Sequence, residues 1–183
     1  MVDNKIDDSS IARINEEIED VVAHDPSEQY LTFYIEDEIY GVDILSVQEI
    51  RGWEPATEIP NAPEYIKGVI NLRGTVVPIT DLRCRFGIKQ FEYSGVTVVI
   101  IVKVQSGKSE KTVGIVVDAV SDVSNFNRSD IHPAPELSEN INTAFVKGLG
   151  SAENKMVILL DINKLMNASD EADLSRVSQA ISA

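Results

Sequence analysis

KGVINLRGTVVPITDL (residues 67–82) holds two short apolar runs, 68–72 and 75–79, on either side of Arg73-Gly74. Val, Ile and Thr dominate both runs, as suits residues packing on a pleated surface. A two-residue interruption ending in glycine predicts a hairpin turn, because tight hairpin loops need left-handed backbone at their centre. The glycine therefore has an explanation and the arginine does not. A guanidinium among so many aliphatic side chains is costly to bury alone. Arg73 requires either a carboxylate partner or open water at the hairpin tip.

The surrounding chain repeats this texture. LTFYI (31–35), IYGVDI (39–44), VTVVIIVKV (96–104), TVGIVVDAV (112–120) and KMVILLDI (155–162) are further β-branched runs. Turn formers separate them at 36–38, at Gly74, at 106–108 and at 153–154. Many short strands with regular turns predict an all-β sandwich or small barrels. Single helical turns are expected near 44–49 and 64–68. Residues 11–23 place Ile11, Ile14, Ile18, Val21 and Val22 near one face of a helix, with Ser9 or Ser10 as its cap. Residues 170–181 place Leu174, Val177 and Ile181 at helical spacing near the C-terminus.

Two blocks occur twice. Residues 40–44 match 113–117 at an offset of 73, and 47–50 match 120–123 at the same offset. At an offset of 80, Lys67-Gly68 matches Lys147-Gly148, and 77–81 match 157–161. Between them PNAPE (60–64) resembles PAPE (133–136). The shared order of blocks predicts two related β subdomains within residues 30–166. Residues 1–29 then form an acidic leader, expected to be dispensable for folding, and 167–183 a tail.

The chain has 183 residues and a net charge of −14. Residues 1–30 carry nine acids and two bases, so the leader holds much of the imbalance. Nucleic acid is a poor partner for such a chain, because binding needs a basic footprint. No apolar run approaches the length of a bilayer span, the acidic start does not read as a secretory signal, and no membrane insertion is expected. One cysteine, Cys84, excludes an internal disulfide, and no spacing suggests a metal site. A reducing, cytoplasmic setting fits.

Catalytic constellations fail one by one. His24 lies in the polar leader and His132 before a proline. Cys84 sits between Arg83 and Arg85, but neighbours along an extended run point to opposite faces. GKS (107–109) lacks the upstream glycine of a phosphate loop, since position 102 is Val. Asp81 and Asp161 end strand-like runs and are expected to close turns by accepting backbone hydrogen bonds. What remains is an asymmetry. The repeat sets Glu49 against Asp122 and Arg73 against Glu153. Only the first half can form an acid–base pair from these two positions, so Glu49 is the natural partner of Arg73. The alternative is an arginine projecting from the hairpin tip into water.

YGVDILSVQEIRG (40–52), IPNAPEYIKGVINLRGTVVPITDLR (59–83), TVGIVVDAVSDV (112–123) and PAPE (133–136) together resemble the CheW-like domain family of bacterial chemotaxis coupling proteins. The resemblance spans 30–166. It implies two small five-stranded β-barrel subdomains packed around a shared hydrophobic core, with short N- and C-terminal helices. It implies a non-enzymatic adaptor without cofactor or metal. Such an adaptor joins chemoreceptor cytoplasmic tips to the histidine kinase CheA and so controls its autophosphorylation at membrane-associated arrays. Carried over by motif, Ile44, Val47, Glu49, Gly68 and Arg73 belong near an apolar groove that receives a receptor helix, with Val98, Ile100 and Val102 as opposite walls. Arg51, Gly52 and Trp53 are expected to face CheA. Related domains also occur in CheV and at the C-terminus of CheA. Met1 and the polar ending favour a complete adaptor over a fragment of either. A small-molecule binder or enzyme on barrels would instead require a deep polar pocket with convergent titratable groups.

Overall fold

Ten strands form from the β-branched runs in the computed structural model, which describes residues 8–21, 29–88, 91–135 and 144–167. In chain order they are β1 (Gln29–Ile35), β2 (Glu38–Asp43), β3 (Val47–Gly52), β4 (Ile66–Leu72), β5 (Thr75–Asp81), β6 (Val98–Ser106), β7 (Ser109–Val117), β8 (Ala119–Asn125), β9 (Val146–Ala152) and β10 (Lys155–Leu160). A helix, α1 (Asp8–Val21), precedes them; a short helix, α2 (Leu82–Arg85), follows β5, and a 3₁₀ turn at Ile44–Ser46 links β2 to β3. Ser9 and Ser10 lie inside α1, so neither is its cap. The helix expected at 170–181 and His24 lie outside the described residues.

The strands make two five-stranded sheets, ordered β8-β1-β2-β10-β9 and β3-β6-β7-β5-β4. The two subdomains expected from the repeat are present, and each sheet takes strands from both halves of the chain. As hydrogen-bonded ladders the sheets are open at their edges rather than closed barrels. Apolar side chains still fill both faces. Leu31, Phe33, Val42, Val98, Ile100, Val102, Val113 and Ile115 form one core shared by the two sheets. Val77, Ile79, Val99 and Ile101 fill the inner curl of one sheet, and Tyr30, Phe126, Val157 and Leu159 that of the other.

The repeat holds residue by residue. Ile79 pairs with Gly114 across the parallel β5–β7 ladder, and its counterpart Leu159 pairs with Gly41 across β10–β2. Val69↔Pro78 in the first hairpin answers Leu149↔Ile158 in the second. Even the isolated bridges correspond, Thr57↔Val69 and His132↔Leu149. Lys67 and Lys147 mark a register shift at the same place in each half. Asp81 and Asp161 close the turns expected of them: their Oδ1 atoms accept from Arg83 N and Lys164 N, each at 3.0 Å.

The leader is less separable than its composition suggests. Ile14 and Ile18 of α1 are buried in the shared core. Asn15 on the same helix accepts from Ile50 N at 2.9 Å and donates to Ile50 O at 3.3 Å, satisfying a backbone pair on β3. This opposes the expectation of a dispensable leader.

Candidate functional site

β3 carries a bulge. Val47 faces Val102 and Glu49 faces Ile101, so Gln48 is the extra residue. A bulge re-aims the side chains that follow it. Here Val47 and Ile50 both enter the core, while Glu49 points out. The β4–β5 hairpin supplies its partner. Arg73 and Gly74 both take positive φ, 49° and 87°, in the tight turn the sequence required, and Asn71 Oδ1 accepts from Gly74 N. From this tip Arg73 Nη1 donates to Glu49 Oε2 at 3.0 Å. β3 and β4 are the two edges of one sheet, so the ion pair spans the gap where that sheet curls towards closure. The arginine side chain is 72% exposed and the glutamate 22%. Both readings of Arg73 thus hold in part: it stands at a hairpin tip in water, and it is held in one place by Glu49.

The same curl depends on Gly68. Its φ is 135°, and an added Cβ would collide with Thr57 O. Thr57 N and O bond Val69 O and N at 3.0 and 2.9 Å, pinning the chain beyond β3 onto β4. A cleft of about 250 Å³ remains beside this bridge, with Arg51 and Gly52 on its wall. Trp53 follows. Its N donates to Thr97 O, and its ring stacks on Tyr93 at 4.2 Å and 7°.

Beneath Tyr93 lies a group that the sequence reading passed over. Arg83 is fully buried. Its Nε and Nη2 donate to the two oxygens of Asp81 at 3.0 and 2.8 Å, and its Nη1 to Asp118 Oδ1 at 2.9 Å. Burial alone would lower the arginine's pKa, but its bonds to the two aspartates outweigh this and raise it. Tyr93 is pushed up too, first by burial and then by the charge of Asp81, to which its hydroxyl donates at 3.2 Å. The repeat sets Asn163 against Arg83. This is the same kind of asymmetry that singled out Arg73, and it was the available signal.

A second cleft, about 290 Å³, opens at the seam of the two sheets. Asp43, Lys147 and Leu160 line it from one sheet, Lys103 and Glu110 from the other, and Leu45 from the linking turn. Leu45 is 60% exposed, the most prominent apolar side chain of that turn. Lys147 has its pKa raised: burial works against the charge, but a hydrogen bond with Tyr30 and the nearby Asp43 and Asp161 prevail. Among the described residues no group of three or more His, Cys, Asp or Glu could hold a metal ion, and no helix is long and apolar enough to cross a membrane.

A family model described as the CheW-like domain matches residues 29–170. The chain belongs to the CheW-like domain family. It is 43% identical over 153 residues to the chemotaxis protein CheW of Klebsiella aerogenes, covering 84% of this chain and 90% of that one. It is 39% identical to the probable chemotaxis protein CheW of Rhizobium etli, covering 78% and 89%. The crystal structure of the scaffolding protein TtCheW from Thermoanaerobacter tengcongensis aligns with a TM-score of 0.68 at 36% identity, covering 75% of this chain and 91% of that one.

The residues carried over from the CheW-like pattern fall into two sets. Glu49 and Arg73 meet at the surface, and Gly68 is buried further back along β4, against Thr57. Ile44, Val47, Val98, Ile100 and Val102 are at most 6% exposed and belong to the shared core. Val98, Ile100 and Val102 therefore present no wall to a partner; β6 is a central strand covered on both faces. Leu45, between Ile44 and Val47, is the apolar side chain that does reach the surface there. Arg51 and Trp53 are half-buried and Gly52 is exposed.

Proposed function

We propose that this CheW-like chain is a non-enzymatic adaptor that couples chemoreceptor cytoplasmic tips to the histidine kinase CheA and so controls its autophosphorylation. It would act in the cytoplasm, recruited to receptor arrays by its partners. The observation that carries the reading is Arg73, an exposed charge held at 3.0 Å by Glu49 across the two edges of one sheet. An exposed salt bridge adds little stability. A fixed charge on a docking surface instead sets orientation and partner choice. In this reading the receptor helix lies along the seam, with Leu45 as an apolar anchor and the Glu49–Arg73 pair at the rim. The surface around Arg51, Gly52 and Trp53 faces the kinase. The leader and tail flank a body that spans 30–166.

Reconstitution tests this directly. CheA autophosphorylation is measured with receptor fragments present, with and without this chain. Receptor-dependent control that appears only when the chain is added supports the reading. Equal kinase activity in both mixtures, with no complex in a pull-down, refutes it.

A further inference from the structure

Between β5 and β6 the chain folds over Arg83 and makes a short stack. Phe91 lies with its ring centroid 4.1 Å from the guanidinium and Tyr93 at 5.0 Å. Glu92 O accepts from Arg83 Nη1 at 3.2 Å. Tyr93 in turn carries Trp53, the sole tryptophan of the chain. On its other side Arg83 reaches Asp118, which stands where β7 passes into β8. Asp118 N donates to Tyr34 O at 3.0 Å, and Asp118 Oδ2 accepts from Glu36 N at 2.6 Å, both in the first hairpin of the other sheet. One buried cation thus touches three things at once: the end of β5, the crossing point between the sheets, and the segment that supports Trp53.

We infer that Arg83 is a positioning residue, whose buried clasp with Asp81 and Asp118 holds Tyr93 under Trp53 and so shapes the kinase-facing surface. The assignment of that surface to the kinase rests on the function proposed above. Arginine is the side chain the geometry demands. Its planar fork meets the two oxygens of Asp81 side by side, sends a third bond to Asp118 and still sits over the Phe91 ring. Lysine keeps the charge but has no fork and no plane. Trp53 gains its fixed orientation through Tyr93, since a stacked ring confers order only if the ring beneath it is itself held.

Trp53 provides the readout, because its fluorescence reports on one site. Arg83→Lys is made in the full chain and checked by far-UV circular dichroism. Acrylamide quenching of Trp53 is expected to rise about twofold. Affinity for the CheA regulatory domain is expected to fall about tenfold or more, in the range seen when aromatic anchors are disturbed. Affinity for a receptor-tip fragment should stay within about twofold, as the seam is formed elsewhere. A folded Arg83→Lys with unchanged Trp53 quenching overturns the inference. So does a parallel loss of both affinities in step with stability, which makes the clasp a general structural element. If Arg83→Lys does not fold, Tyr93→Ala decides, because it leaves the arginine and both aspartates in place. Kinase affinity lowered about tenfold supports the inference, and unchanged affinity overturns it. Trp53→Ala separates the two layers: unchanged kinase affinity in that variant overturns the kinase assignment of the face, whatever Arg83→Lys does to the quenching.

Discussion

Reversing the charge of Arg73 separates the roles a hairpin-tip arginine can have. In Arg73→Glu the new carboxylate faces Glu49, where an attraction at 3.0 Å stood before. In bulk water two unit charges at that distance interact by about 1.4 kcal/mol. Because the arginine is 72% exposed, solvent and side-chain entropy reduce this to about 0.2–1 kcal/mol. Losing the attraction and gaining a similar repulsion gives about 0.4–2 kcal/mol in all. For a chain of this size each kcal/mol moves the melting point by about 2–4 °C. Arg73→Glu should therefore remain folded, with a modest fall in Tm. Receptor binding should suffer more, by about tenfold or beyond, if the charge orients the partner. Adding Glu49→Arg restores attraction, so the double variant should recover part of the loss. A coupling of about 0.5–1 kcal/mol, the low end for residues in contact, is expected for so exposed a pair. Thermal melts and receptor-fragment titrations on all four proteins complete the cycle. Equal losses of stability and binding make Arg73 a structural residue. Unaltered receptor control of the kinase in Arg73→Glu makes it a solvated tip with no role in docking.

Gly68→Ala should destabilise by about 1–3 kcal/mol or more in urea unfolding, since the left-handed φ and the approach of Thr57 O both resist a Cβ. A neutral result refutes the closure argument. Ile14→Ala and Ile18→Ala should each cost about 2–5 kcal/mol, as buried aliphatic truncations do. An unchanged melting point after removal of residues 1–28 would show that α1 does not support the core. Alkaline pH should destabilise the protein. Tyr93 has its pKa raised by burial and by Asp81, and Tyr40 has its own raised by burial and by Glu38 and Glu36. Stability from these hydroxyls is whole below the ordinary tyrosine pKa of about 10 and is lost as pH rises towards the folded-state values. Tyr93→Phe should flatten part of that fall in Tm above about pH 10, and a curve identical to wild type would count against the Asp81 contact.

Local pattern made the strands, the turn at Arg73-Gly74 and the two-fold order of blocks legible in the sequence. It also made Glu49–Arg73 legible, because Asp122 and Glu153 at the matched positions rule out a twin. It could not place β6. VVIIV is apolar at every position, so alternation says nothing about which residues face the shared core and which the inner curl. Only the sheet order shows that Val98, Ile100 and Val102 have no free face. The bulge at Gln48 was equally hidden, although it turns Glu49 outward. Arg83 was missed because the fork it makes with Asp81, two residues away, leaves no periodic signal, and its second carboxylate, Asp118, is 35 residues away. The helical period of α1 was plain, but its docking depends on Asn15 finding the backbone of Ile50, 35 residues away.

The mixing of strands between the sheets also bears on how such a chain could arise. Each half gives a hairpin to one sheet and three strands to the other, and the matched strands share their register. Split between β5 and β6, neither half would hold a complete sheet, but two copies of one half could complete each other by exchange. The present chain has the layout of such an exchanged homodimer whose subunits became covalently fused. The joint would then be the stretch from Phe86 to Thr97. Phe91 and Tyr93 lie on it while Arg83 has its counterpart in Asn163, so the network ties a residue of the repeat to the part of the chain that two separate subunits would have lacked. Fusion relieves the requirement that both copies carry the same residues, and Arg73 opposite Glu153 shows the freedom this brings: one hairpin tip could specialise while its counterpart took the opposite charge.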